Sequence, residues 1–262
     1  MPYTISHSAA VLPFSRWLAP RRLLSAALVG SMVPDFGYLL PYDLPRFATH
    51  SLVALFTFCV PAGLACYWVF QLLIKRAVLE VLPDGAYARA LPFASPARLA
   101  SLRHWLLAAA GILAGAATHL AWDGFTHEGA RGVRMFPALN DDLADVGGHR
   151  LLVYKLLQQG SSLIGLSVAL WICWRALRTP APQPRPERTL ARIERDAWLL
   201  AFPVLAVIAS LVALAPGWHP GHNPVAIVGD TAIAVLRGLV VALLLLSAAV
   251  RLRLASRARA RR

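Results

Sequence analysis

The sequence predicts an all-α fold, a polytopic transmembrane helical bundle of five spans preceded by an N-terminal hairpin of two half-length helices. Three observations carry that reading. The 262 residues are 58% hydrophobic and only 15% charged, against about 25% charged in a soluble domain, and the mean hydropathy is +0.57. Five apolar stretches are long enough to cross a bilayer. The basic residues gather in alternate connections between those stretches, as the positive-inside rule requires.

The first element is the hairpin. A short apolar run at 8–18 leads to "LAPRR", where Pro20 precedes two arginines, and "LLSAALVGSMV" at 23–33 returns toward Pro34 and Asp35. Neither limb is long enough to span, so the pair reads as a re-entrant element, which lipid tolerates only where it packs inside a bundle. With its turn toward the cytoplasm, His7, Asp35 and His50 all return to the outer side. A single tilted span would instead leave His7 on the opposite face. The segment "LLPYDLPRFATH" that follows is rich in turn punctuation.

The five spans come next: 51–74, 104–123, 151–174, 197–215 and 227–250. Between the third and fourth, "RALRTPAPQPRPERTLARIERD" at 175–196 is rich in Pro and Arg and reads as an exposed cytoplasmic linker ending in a short amphipathic helix. The chain thus divides into a membrane domain at 1–174, the linker at 175–196, a C-terminal transmembrane hairpin at 197–250 and a basic cytoplasmic tail at 251–262.

Net charge is +13, but the arginines concentrate at 75–103, at 175–195 and in "RLRLASRARARR", rather than along one face interleaved with aromatics. Nucleic acid is therefore not expected as a partner; the lipid bilayer is. Placing those three regions in the cytoplasm puts the chain in the inner membrane of a bacterium with a cytoplasmic C-terminus, and leaves 124–150 and 216–226 outside. Cys59, Cys66 and Cys173 all fall inside spans, where Cys behaves as a small apolar residue. The N-terminus lacks the early positive charge of a secretory signal and is expected to persist in the mature protein.

Topology then collects ionisable residues at one depth. In "ATHLAWDGFTH", His119, Asp123 and His127 recur at steps of four, each advancing about 40° around a helix, so they form one stripe. His50 opens the span at 51–74 on the same side, Asp35 closes the half-helix, and His7 joins them under the hairpin reading. Imidazoles with carboxylates are suitable ligands for Zn²⁺ or a similar divalent ion, and ionisable groups near hydrocarbon are costly enough to imply use. The expected metal set is His7, His50, His119, Asp123 and His127, with Asp35 or Asp123 as the base that orients water. His119 and His127 stand about 12 Å apart along a straight helix, too far to share an ion. If Gly124 ends the helix, His127 can curl back over Asp123; otherwise His127 serves a second ion or an outer layer.

A second polar set, Arg131, Arg134, Asp141, Asp142 and Asp145 with His219 and His222, reads as solvated loop. Arg237 is the exception. It lies about ten residues into an apolar span, two helical turns from Asp230, and a buried Arg takes either a carboxylate partner or an anionic substrate. It is the candidate substrate-binding residue.

The ordered motifs "PYTISHSAAVLPF", "GSMVPDFGYLL", "THSLVALFTFCVPAGL" and "ATHLAWDGFTH" resemble the bacterial membrane-protein family called domain of unknown function 4184, over roughly residues 1 to 250. More remotely the order is similar to membrane-bound metal-dependent hydrolases, which implies roles for His7, Pro34-Asp35, Thr49-His50-Ser51 and His119-Asp123. Zinc-dependent phospholipases C look like still more distant relatives. One departure stands out: the hydrolase-like pattern carries a histidine where this chain has Pro45, before Arg46, which counts against a two-ion site.

The resemblance implies a metal-dependent hydrolase acting on a membrane-associated ester or phosphoester, with a divalent metal, zinc, as cofactor and a lipid-like substrate. The alternative is a non-catalytic membrane protein that binds, senses or transports a metal ion or proton. The chain holds no nucleophile elbow, phosphate-binding loop, H-E-x-x-H or dinucleotide fingerprint.

Overall fold

The computed structural model describes residues 4–19, 23–40, 42, 44–91, 101–146, 149–179, 188–214 and 224–260. Thr4–Ala10 and Leu12–Phe14 are 3-10 turns and Ser15–Leu18 is a single α turn. Helix α1, Leu24–Met32, runs on into a 3-10 stretch, Val33–Leu39. Pro34 stands at the start of that stretch, where its missing N–H breaks nothing. Then follow α2, Leu55–Val81; α3, Asp84–Ala90; α4, Leu102–Thr126; and α5, Arg131–Met135. A two-stranded antiparallel ribbon joins β1, Asp142–Val146, to β2, His149–Leu152. Three long helices complete the chain: α6, Val153–Arg178; α7, Arg192–Leu214; and α8, Pro224–Ala260.

Five helices are long and apolar enough to cross a membrane: α2, α4, α6, α7 and α8 from Gly229 onward. The chain is an all-α, multi-pass membrane protein. Their outward side chains fit that solvent, since Leu163, Ile164 and Leu170 of α6 and Leu200, Val204 and Leu211 of α7 are all exposed, and a helix meets lipid with its backbone already satisfied. Within α2, Pro61 has no N–H to give and its ring crowds the preceding turn; the wider π turn immediately before it, Leu55–Cys59, accommodates the ring.

Two expectations change. Helix α4 does not end at Gly124 but continues to Thr126, with His127 as an extended C-cap at φ −121° and ψ 143°. The region 131–150, expected as loop, contains α5 and the β-ribbon, with Ala144 opposite Leu151 and Val146 opposite His149. The turn at Pro20, part of the linker at 181–187, and His219 and His222 lie outside the described residues.

The chain packs as two units, residues 1–67 with 98–175, and residues 68–97 with 176–262. In the first, α1 lies against α4 with backbones in near contact. A Cβ on Gly30 would come 2.6 Å from the Ile112 Cα, and one on Gly115 2.6 Å from the Ser31 nitrogen. Gly111 and Gly115 are the small-xxx-small spacing that lets membrane helices approach this closely.

In the second unit α7 packs on α8 at Gly238, whose Cβ would meet the Ser210 Cα at 2.7 Å. Ala77, Leu190, Val250 and Leu254 form its apolar cluster, with Val81 and Trp198 against it. Arg195 pairs with Asp84 at 2.8 Å, while Arg253 and Arg257 hold Glu194 at 3.0 and 2.7 Å.

Candidate metal centre

The glycine stripe of α4 leads directly to the site. Gly111, Gly115, His119 and Asp123 follow at steps of four, so the face that admits α1 also carries the two ligand-type residues. Close approach brings the Ser31 carbonyl of α1 to His119 Nδ1 at 2.8 Å. The ring therefore donates through Nδ1 and keeps the Nε2 lone pair for another partner. His50 is set the same way, with Nδ1 2.7 Å from Thr49 Oγ1, whose hydroxyl in turn donates to the Arg46 carbonyl at 3.4 Å.

These lone pairs converge. His50 Nε2 lies 3.4 Å from Asp35 Oδ1 and 3.6 Å from Asp123 Oδ2. His119 Nε2 lies 3.7 Å from Asp35 Oδ1 and 3.6 Å from Asp123 Oδ2. His7 Nε2 faces Asp123 Oδ1 at 3.8 Å, and its ring stacks on His119 with centroids 3.8 Å apart. Burial, then the neighbouring His119, pushes the His7 imidazole down to about 4, which favours its neutral form.

Two groups result, His7 with His119 and Asp123, and Asp35 with His50 and His119, each with its ligand atoms within 4.8 Å of one another. Both need His119. One Nε2 lone pair serves one ion, so the two groups compete for a single ion and do not each hold their own.

The donor set fits a cation. The Nε2 atoms of His7, His50 and His119 and Asp123 Oδ1 are buried without a hydrogen-bond partner among the described residues. Each such orphan costs about 1–3 kcal/mol, and each of the three Nε2 atoms lies within 3.8 Å of an Asp123 carboxylate oxygen. Their separations are long for hydrogen bonds but close to the ~3.3–3.5 Å between neighbouring ligands of a tetrahedral Zn²⁺ held at about 2.0–2.1 Å.

An outer layer fixes the carboxylates. Thr4 Oγ1 donates to Asp35 Oδ2 at 2.8 Å, leaving Oδ1 turned to the histidines. Arg46 Nη2 donates to Asp123 Oδ2 at 2.8 Å. His127 belongs to this layer: its Nδ1 lies 3.4 Å from Asp123 Oδ2, and the Gln158 amide donates to its Nε2 at 2.9 Å. With Nε2 occupied by that amide, His127 carries its proton on Nδ1 and holds Asp123. Burial and the Arg46 guanidinium keep His127 below the ordinary imidazole range.

Two cavities reach the centre along opposite flanks of α4. A polar cleft of about 390 Å³ is lined by Arg46, His50, Asp123, Gly124 and Arg131. An apolar groove of about 900 Å³ runs past His7, Trp122, Phe125, Leu156 and Gly160. At about 100° per residue, Leu120 and Gly124 lie on one side of Asp123, while Trp122 and Thr126 lie on the other.

A family model, Domain of unknown function (DUF4184), matches residues 1–248. The chain belongs to the DUF4184 family. No curated protein and no solved structure matches it.

In this DUF4184 protein, then, His7, Asp35, His50, His119 and Asp123 come together, with His127 beside them. Arg237 sits half-buried on α8, within the second unit. Sequence reasoning had no place for Thr4, Ser31 or Gln158, nor for Arg46 and Arg131 as walls of the cleft. The signal that could have found Arg46 was its position four residues before His50, inside the one turn-rich segment of the constellation.

Proposed function

We propose that this DUF4184 protein is a metal-dependent hydrolase of the membrane surface, acting on an ester or phosphoester of an amphiphile. The observation that carries the reading is the gathering of three buried imidazoles, those of His7, His50 and His119, around the Asp123 carboxylate. A divalent ion held there, zinc by the nitrogen and oxygen donor set, would polarise a carbonyl or phosphoryl oxygen and lower the pKa of water. Asp123, hydrogen-bonded by Arg46, is the carboxylate ligand, with His7, His50 and His119 the imidazoles around it. Asp35, anchored by Thr4 and open at Oδ1, is the base that orients water. A bacterial inner membrane, with the site at the outer face and the C-terminus in the cytoplasm, follows from the distribution of arginines.

A second reading has its own support. The two groups offer more side-chain donors than a catalytic ion with an open position needs, and a closed set of side-chain ligands is typical of structural sites. A metal-sensing or metal-holding protein would use the same residues.

The first test is metal content by mass spectrometry on detergent-purified protein, followed by hydrolysis assays on soluble phosphodiester and acyl-ester substrates. Near-stoichiometric zinc or manganese, lost in His119→Ala and Asp123→Ala, with turnover that Asp35→Asn abolishes, is the expected result. Bound metal without turnover on either substrate class transfers the site to the sensing reading. A parent protein that takes up no metal, even after reconstitution, removes both.

A further inference from the structure

We infer that the polar cleft beside the metal centre is a phosphate subsite, formed by Arg46 and Arg131, and that the phosphate it takes is lipid-borne, with the chain lying in the groove across α4. This rests on the hydrolase reading and narrows it, because a neutral acyl ester has no need of such a cleft.

The cleft brings two guanidinium-bearing residues to one cavity with His50 and Asp123. Arg46 is anchored through one nitrogen, Nη2, to Asp123, and its side chain is still 44% exposed. It presents a fork of donors to the cleft while being positioned by a buried carboxylate. Arg131 stands exposed at the start of α5. Gly132 beside it packs where a Cβ would meet the Gly124 carbonyl at 2.7 Å, so α5, and Arg131 with it, is held tightly against the end of α4. Arg46 and Arg131 set two guanidinium charges against Asp123, the one carboxylate that lines the cleft. A phosphate balances that charge and comes to lie beside His50, which lines the same cleft.

The lipid source follows from the other flank. The groove is lined mainly by apolar side chains with His7 in its wall, so one end of it opens at the same centre. Gly160 keeps it wide: a Cβ there would meet nothing within 4 Å. A molecule with phosphate in the cleft and an alkyl chain in the groove spans the centre with its phosphoester bond.

Binding, measured on zinc-loaded full-length protein in detergent, tests this without requiring turnover. The probes are a short-chain phosphatidate, a matched diacylglycerol and inorganic phosphate. Phosphatidate is expected to bind at least about tenfold more tightly than diacylglycerol. Arg131→Gln should weaken it about tenfold, the scale of one charge-assisted hydrogen bond, with zinc content unchanged. Gly160→Trp, which fills open space, should weaken phosphatidate and spare inorganic phosphate. Equal affinity for phosphatidate and diacylglycerol, or an Arg131→Gln protein that binds phosphatidate like the parent, overturns the subsite. Inorganic phosphate binding as tightly as phosphatidate, with Gly160→Trp affecting neither, overturns the lipid source. Zinc content is read separately, so absence of metal overturns the hydrolase reading and is not confused with failure of the arginine cleft.

Discussion

Asp123 is the residue on which the others depend, for it faces His7, His50, His119 and His127 and accepts from Arg46. Asp123→Asn keeps the shape and removes the charge, so Arg46 loses its ion pair and the cation site loses its anionic ligand. Metal affinity is expected to fall more than tenfold while the helical circular dichroism is retained. One layer out, Thr49→Val removes the acceptor of His50 Nδ1 and leaves every proposed ligand in place. Outer-layer losses of this type cost about 10- to 100-fold in metal affinity, and a chelator competition would measure it. An unchanged affinity would mean that His50 is not a ligand.

At the scale of elements, the contact between α1 and α4 decides whether the residues meet at all. Gly115→Val drives a branched side chain into the Ser31 backbone. Overpacking of this kind costs about 1–3 kcal/mol, and here it also separates Ser31 from His119. The expected outcome is a lowered thermal midpoint together with lost metal. Gly160→Ala, on a helix with open space at that position, should be neutral or stabilising by up to about 1 kcal/mol. If both variants behave alike in a thermal-shift assay, the tight approach of α1 to α4 is not what organises the centre.

The elements also show how much the sequence discloses. His119 and Asp123 were legible because a helix repeats every four residues and the whole stripe lies on one α-helix. His7, Asp35 and His50 required topology in addition, since their relation to α4 is carried by tertiary packing and not by spacing. Thr4, Ser31 and Arg46 left no periodic trace: Thr4 and Asp35 are 31 residues apart, Arg46 and Asp123 77, and Ser31 and His119 88. Only the closeness of two glycine-lined backbones brings them together. The small residues at Gly111 and Gly115 were visible, but their meaning depends on knowing which helix comes against them. The ribbon at 142–152 escaped because its strands are only five and four residues long, although Gly147-Gly148 in the sequence is a turn pair of the hairpin kind.

For the whole molecule, five crossings fix the parity of the connections. On the proposed topology the connection between α4 and α6 lies outside and the C-terminus lies in the cytoplasm. Glu128→Cys should therefore react with a membrane-impermeant maleimide added outside intact spheroplasts, in a background with the three native cysteines replaced, and Arg257→Cys should react only after lysis. Labelling of both from outside would break the five-span count.

The order in which the donors occur along the chain carries a consequence for synthesis. His7, Asp35, Arg46 and His50 leave the ribosome long before His119 and Asp123, and α2 is inserted in between. Until α4 arrives, four ionisable side chains and apolar segments too short to span must wait at the membrane without His119 and Asp123. A nascent chain stopped near residue 100 is therefore expected to be poorly retained in the bilayer and rapidly degraded by membrane proteases, whereas one stopped after Arg178 has every donor of the centre. Pulse-chase of the two truncations would show whether the centre is also the checkpoint at which the first unit becomes stable.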